Sequence, residues 1–297
     1  MSNICATLHA NRVLKLDKRH IPNPGNNEVL LSMKSVGICG SDLKYWAYGK
    51  CGRFVMDSPM VIGHEASGVV AKLGEGVTNL KVERLPDNVS FDEGALLEPL
   101  SVAVYGCERG GVGLGSSVLV CGAGPVGLLT MMTAKAMGAD IVAITDIDDH
   151  RLSVAKSLGA DHILKVPMSV EEKQFALQIQ SVMGCAPDVT LECSGVDSSL
   201  RLALYASQEG GSVVMIGRGS MEPTIPLAYV ALREIDIKGV FRYANSYPKA
   251  LSLITSGKID VQPLVSHHFT LSQSQEAFET AVDRESKAIK VIISCEN

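Results

Sequence analysis

The residues best suited to chemistry fall in three short stretches before residue 100. Gly37-Ile38-Cys39-Gly40-Ser41-Asp42 carries a thiol, Gly63-His64-Glu65-Ala66-Ser67-Gly68 an imidazole beside a carboxylate, and Leu97-Glu98-Pro99 a second carboxylate. Thiolate, imidazole and carboxylate are the ligand types of zinc, and a catalytic zinc takes three of them and keeps one position open. A single Cys or His in an apolar loop more often packs than ligates. The reading therefore depends on the fold gathering these stretches.

A fourth stretch, 117–146, has the pattern of a dinucleotide site. Val118-Leu119-Val120-Cys121 reads as a buried parallel strand and runs into Gly122-Ala123-Gly124-Pro125-Val126-Gly127, a G-x-G-x-x-G. A helix is expected over 128–138 and a second strand over 141–145, ending in Asp146, 19 residues after Gly127. Strand, glycine turn, helix and an acid about 20 residues on make up the full fingerprint, whereas the glycines alone would be weak evidence. Gly122 permits the tight turn, Gly124 lets a pyrophosphate approach the backbone, and Gly127 lets helix and strand sit close. Unpaired N–H groups at the helix start then face the phosphates. Asp146 would accept hydrogen bonds from the ribose hydroxyls and would repel a 2′-phosphate, which favours NAD over NADP, although the nearby Arg151 softens that preference.

Around these stretches the pattern divides the chain. Residues 1–82 lack helical periodicity, and their short apolar runs, broken by turn signals, predict a β-rich domain with loops. A helix is expected over 91–107. From Ser117 strands and helices alternate: strands at 118–121, 141–145, 162–164, 188–193, 211–216 and 235–241, with helices between them. That is a doubly wound parallel sheet of about six strands, an α/β fold. The tail carries helices at 248–254 and 272–283 and a closing strand at 288–293, expected to return to the first domain.

Composition excludes several classes. At 297 residues two domains are the natural expectation. A net charge of −5 gives no reason to expect nucleic acid or an anionic membrane as partner. The first 20 residues are charged throughout and do not read as a signal peptide. The long uncharged run 110–134 holds seven Gly and a Pro and reads as strand, turn and helix, not as a membrane span. Eight scattered Cys with no C-x-x-C point to reduced thiols and a cytoplasmic location.

The motifs taken together resemble the zinc-containing medium-chain dehydrogenases of the polyol-oxidising type. The resemblance is carried by Val36-Gly-Ile-Cys-Gly-Ser-Asp42, Tyr45-Trp46, Pro59-Met-Val-Ile-Gly-His-Glu-Ala-Ser-Gly68, Glu93-Gly-Ala-Leu-Leu-Glu-Pro-Leu-Ser-Val102, the glycine turn, and Ile235-Asp-Ile-Lys-Gly-Val-Phe-Arg-Tyr243. It implies a Rossmann-type NAD domain at 101–240 and a GroES-like catalytic domain built from 1–100 and 241–297. It implies Cys39, His64 and Glu65 as ligands of one catalytic Zn2+, with Glu98 at or just behind the metal. Polyol contacts would fall on Tyr45, Glu98, Arg242 and Tyr243. NAD contacts would fall on Gly122, Gly124, Val126, Gly127, Asp146 and Arg151, and on the strand ends Ile216, Gly217, Arg218 and Val240, Phe241, Arg242. Zinc would acidify a substrate hydroxyl, hydride would pass to NAD and leave a ketose, and Ser41 would be a first relay for the hydroxyl proton, a role in which an ordinary loop hydroxyl is the equal alternative. A homotetramer follows only by analogy.

The chain departs from that family at one place. Family members continue after Lys81-Val82 with a further strand and a lobe that in many members holds a second, structural zinc. Here Val82-Glu83-Arg84 runs directly to Leu85-Pro86, so a second zinc site is not expected. Loss of core strands leaves apolar faces and strand edges uncovered. An alternative reading is therefore a shortened, catalytically impaired nucleotide-binding form that assembles with full-length subunits. A zinc-free reductase is disfavoured by the intact ligand set.

Overall fold

In the structure, a computed structural model that describes residues 3–78, 84–169 and 171–295, the chain forms two compact units. One joins Met1–Glu98 to Asp260–Asn297, and the other is Pro99–Ile259. Of the junction expected at 82–85, Val82 and Glu83 lie outside the described residues.

The first unit opens with the antiparallel pair β1 (Asn3–Ala10) and β2 (Val13–Arg19), followed by β3 (Val29–Gly37). Next comes a helix, α1 (Gly40–Tyr48), where the sequence showed no helical periodicity. The reason is its length: nine residues bury only Asp42 and Trp46, too few to print a repeat. Short strands β4 (Lys50–Cys51), β5 (Phe54–Val55) and β6 (Met60–Val61) precede β7 (Glu65–Leu73). Helix α2 (Phe91–Gly110) then runs across the division between the units, which falls at Pro99 inside it. A proline removes one N–H from the helical ladder at that position.

The second unit is a six-stranded parallel sheet. Its strands are β8 (Ser117–Cys121), β9 (Ile141–Asp146), β10 (His162–Lys165), β11 (Val189–Glu192), β12 (Ser212–Met215) and β13 (Asp236–Gly239), in spatial order β10-β9-β8-β11-β12-β13. Between them run α3 (Pro125–Ala136), α4 (Asp149–Ser157), α5 (Glu172–Met183), α6 (Asp197–Ala206) and α7 (Leu227–Leu232). Val118, Leu119 and Val120 are fully buried, as a central strand covered on both faces must be. The sequence ends this unit at 240. In the structure it runs to Ile259, because α8 (Tyr247–Thr255) buries Ala250 and Ile254 and pairs Lys249 with Glu108.

The tail returns to the first unit with β14 (Val265–Thr270), α9 (Ser274–Val282) and β15 (Lys290–Ser294). They complete a sheet of order β14-β15-β3-β7. Trp46 and Phe278 meet at 6.1 Å between ring centroids, in a core shared with Leu8, Ile38, Val291 and Ile293. The unit's core is thus made from both ends of the sequence.

Asp161, just before β10, ties α3 to β9. Its carboxylate accepts from Lys135 at 2.8 Å and from the N–H of Val142 at 2.8 Å. Partial burial pushes this carboxyl up, but the lysine and the backbone donor outweigh it and hold it below its ordinary 3.8. A depressed carboxylate adds stability that is full above the unfolded value and is lost as pH falls through the folded one. Asp161→Asn is expected to cost about 1 kcal/mol at neutral pH. In urea titrations its deficit against the wild type should shrink below pH ~4; a deficit that does not change with pH would contradict this account.

Candidate metal centre and dinucleotide site

Strand register builds the first unit's polar cluster. Gly37, the last residue of β3, stands opposite Glu65, the first residue of β7. A Cβ at Gly37 would lie 2.3 Å from Glu65 Oε2, so only glycine leaves the carboxylate its place. Cys39 follows on the β3–α1 turn, and His64 follows Gly63, whose φ of 115° favours glycine. One ligand atom each from Cys39, His64 and Glu65 falls within 4.8 Å of the others. A tetrahedral zinc with bonds of ~2.0–2.3 Å sets its ligand atoms roughly 3.3–3.8 Å apart. The three residues therefore fit a metal after a short contraction.

Two further residues hold this cluster in place, and neither was assigned a role from the sequence. Asp42 accepts from the N–H of Cys39 at 3.0 Å, while its other oxygen lies 3.1 Å from His64 Nδ1. That contact leaves His64 Nε2 free for a metal, the usual arrangement in which a carboxylate orients a ligating imidazole. Asp42 first, and then Cys39, raise the His64 imidazole to about 11 against partial burial. The field of these groups therefore favours a cation at this spot, and a bound metal replaces the proton. Lys290, fully buried on β15, donates to Glu65 Oε2 at 2.6 Å and to the carbonyl of Ile38 at 3.1 Å. Burial pulls the Lys290 ammonium down, but Glu65, Cys39 and Asp42 outweigh it and keep it ionised. The sequence held two signals for these residues: Asp42 stands three after Cys39, and Lys290 is the one charge in Ala288-Ile289-Lys290-Val291-Ile292-Ile293.

The other expected residues are not among these three ligands. Glu98 is buried in α2 and does not join the group of three. Ser41 and Tyr45 lie on α1, both half-buried.

In the second unit the turn starts its helix earlier than the sequence suggests. Helix α3 begins at Pro125, not at 128, because proline's fixed φ suits the first helical position. Gly124 is the N-cap, and Val126 and Gly127 fall in the first turn. A Cβ at Gly127 would lie 1.8 Å from the carbonyl oxygen of Gly122, so no other residue fits. At Gly124 a Cβ would meet only Arg151 Nη1, at 3.8 Å, which leaves room above the helix start. Asp146, at the end of β9, accepts from the N–H of Ala123 at 2.6 Å and of Asp148 at 2.9 Å. An ionised carboxylate offers about four acceptor sites, so two remain for ribose hydroxyls. Ile216, Gly217 and Arg218 follow β12, and Val240, Phe241, Arg242 and Tyr243 follow β13, at the carboxyl ends where ligands bind doubly wound sheets. Cys107 and the half-buried Cys193 donate to Thr130, and removal from water pushes their thiols and that of the buried Cys121 up, Cys121 to about 12. They stay protonated and unreactive.

Comparison with known proteins places both units. Residues 25–90 match the alcohol dehydrogenase GroES-like domain, and residues 125–256 match the zinc-binding dehydrogenase family. Sorbitol dehydrogenase of Homo sapiens is 42% identical over 347 aligned residues, covering 99% of this chain and 96% of that protein. Sorbitol dehydrogenase of Gallus gallus is 40% identical over 346 residues, with 99% and 97% covered. The chain belongs to the zinc-binding medium-chain dehydrogenases of the sorbitol dehydrogenase type. Among solved structures, 2R,3R-butanediol dehydrogenase from Bacillus subtilis superposes on this dehydrogenase with a TM-score of 0.88 at 25% identity, with 99% of each chain covered. The human alignment exceeds the 297 residues of the chain by 50 positions, so at least that many have no counterpart here.

Lys290→Met isolates the buried pair in this dehydrogenase. It leaves the buried Glu65 carboxyl without its ammonium partner, and breaking a buried pair costs about 3–5 kcal/mol. The expected result is a loss of that size in denaturant unfolding together with weaker zinc retention on dialysis; a variant of unchanged stability would show that Glu65 does not need the lysine.

Proposed function

We propose that this chain is a zinc- and NAD-dependent dehydrogenase that oxidises a polyol such as sorbitol or xylitol to the ketose. The observation that carries this reading is the convergence of Cys39, His64 and Glu65 in a chain that also holds a complete dinucleotide turn. When bound, zinc supplies the Lewis acidity that lowers the pKa of the reacting hydroxyl, and NAD accepts the hydride.

The protein's own residues do the rest. Cys39, His64 and Glu65 offer three donors and leave one position for substrate oxygen. Asp42 keeps His64 in the tautomer that presents Nε2, and Lys290 keeps the Glu65 carboxylate in place. The start of α3 presents N–H groups to the pyrophosphate, and Asp146 takes the adenosine ribose hydroxyls, with Arg151 beside the turn. Strand ends 216–218 and 240–242 line the nicotinamide side. Ser41 is a first acceptor for the hydroxyl proton, and Tyr45, Glu98, Arg242 and Tyr243 are polyol contacts. The chain divides its work between a catalytic part drawn from both ends and a central NAD part.

A homo-oligomer, a tetramer by family analogy, is supported by β13, which among the described residues is an edge strand of its sheet with Ile237 exposed on it. Residence in the cytoplasm is supported by eight free cysteines. The absent alignment positions favour a second reading, a catalytically impaired form that binds nucleotide and joins full-length subunits.

Cys39→Ala is expected to abolish zinc binding and NAD-dependent polyol oxidation while NAD binding, followed by fluorescence titration, stays within about twofold of wild type. Normal activity without zinc would sink the proposal. Turnover by the purified 297-residue chain alone would remove the second reading.

A further inference from the structure

Glu192, the last residue of β11, is an acid removed from water that neither the metal nor the polyol chemistry uses. A buried carboxylate is costly unless donors satisfy it. Here the donors come from one short segment. Its Oε1 accepts from the N–H and the hydroxyl of Ser194, from the N–H of Gly195 at 3.0 Å and from the hydroxyl of Ser199 at 3.0 Å. Its Oε2 lies 3.1 Å from the nitrogen of the same Gly195. Ser194 Oγ in turn accepts from the N–H of Val196 at 3.1 Å. One carboxylate therefore gathers residues 194–196 and the first turn of α6, and hydrogen bonds to a charged acceptor are the strong ones.

The segment so held is wedged between two others. On one side is the glycine turn: a Cβ at Gly122 would lie 3.1 Å from the nitrogen and from the Cβ of Ser194, and one at Gly127 would lie 3.6 Å from the Cβ of Cys193. On the other side is the chain that leaves β12. A Cβ at Gly217 would fall 2.2 Å from the nitrogen of Gly195, and one at Gly219 2.2 Å from its oxygen. Gly195 itself has φ 70°, and a Cβ there would meet the carbonyl of Arg218 at 2.7 Å. Glu192 also grips this second neighbour directly, since its main-chain carbonyl accepts from the N–H groups of Ile216 at 2.9 Å and Gly217 at 2.8 Å. Packing this close transmits displacement, so a shift of residues 193–195 moves the turn, the strand end or both.

The position of the wedge gives it a function. In the sheet β11 stands between β8 and β12, and the strand order reverses between β8 and β11. Doubly wound sheets bind dinucleotides in the crevice at that reversal. The turn after β8 takes the pyrophosphate, and residues 216–218 after β12 take the nicotinamide side. Segment 193–195 is thus the spacer between the two halves of the cofactor site. Asp146 stands on β9, on the far side of β8, and takes its donors from Ala123 and Asp148, outside this segment.

We propose that Glu192 is a positioning residue for the dinucleotide: its carboxylate sets the separation between the pyrophosphate turn and the 216–218 strand end. This rests on the dinucleotide reading above. Loss of the carboxylate then weakens a ligand that spans both halves and spares one that occupies the adenosine half alone. Binding sites of this kind need their walls held within about half an ångström by supporting hydrogen bonds.

The test uses the full chain with zinc and titrates two probes, NADH by fluorescence and AMP by calorimetry. Glu192→Gln keeps the size of the side chain but turns one acceptor oxygen into a donor among N–H groups. It is expected to raise the Kd of NADH at least tenfold and to leave the Kd of AMP and the zinc content within about twofold of wild type. Glu192→Ala should weaken NADH at least as much. A smaller loss of NADH affinity in both variants overturns the proposal. Equal weakening of NADH and AMP overturns it as well, because a general loosening of the unit would then account for the loss. Wild-type protein that binds no NADH removes the dinucleotide reading, and the positioning role with it, a result distinct from either of these.

Discussion

Lys290 and Glu65 lie 225 residues apart in sequence and 2.6 Å apart in space, both almost wholly removed from water. A lone ammonium or a lone carboxylate in that position would be very unfavourable, so each requires the other. Their meeting demands that β15 enter the sheet beside β3, which in turn holds β7 in register through Gly37 and Glu65. That register puts His64 and Cys39 at the same corner. The metal-binding corner thus depends on closure of a sheet whose strands come from opposite ends of the chain.

The second unit is organised by a steric constraint instead of a charge. The carbonyl of Gly122 lies where a side chain at residue 127 would have to go, so α3 can approach β8 only through a glycine. Asp146 then takes the N–H of Ala123, which ties the turn to the end of β9. The same carboxylate that would recognise ribose therefore also shapes the turn. Recognition and architecture share atoms, and neither could drift far without the other.

Much of this was legible in the residues alone. The glycine turn, the acid that follows it and the alternation of strands and helices are local patterns, because each repeats within one element or one βαβ unit. The helix α1 was not legible, since nine residues with two buried positions leave no period to detect. The early start of α3 was missed because Pro125 reads first as a breaker, although at the first turn it is favourable. Asp42 and Lys290 were present as odd residues in their motifs, but their partners are a histidine 22 residues on and a glutamate 225 residues back.

The sequence by itself determined which chemistry was possible: a thiol, an imidazole and a carboxylate for a metal, and a glycine turn with an acid for a dinucleotide. Those are properties of residue type and short spacing, and they survive any arrangement of the rest. Only the tertiary structure decided that Cys39, His64 and Glu65 share one corner and that Arg218 and Arg242 face the one ring of Phe241. Those facts depend on strand register and on which elements pack together. Register is fixed by burial and pairing across long stretches of chain, which no local pattern records.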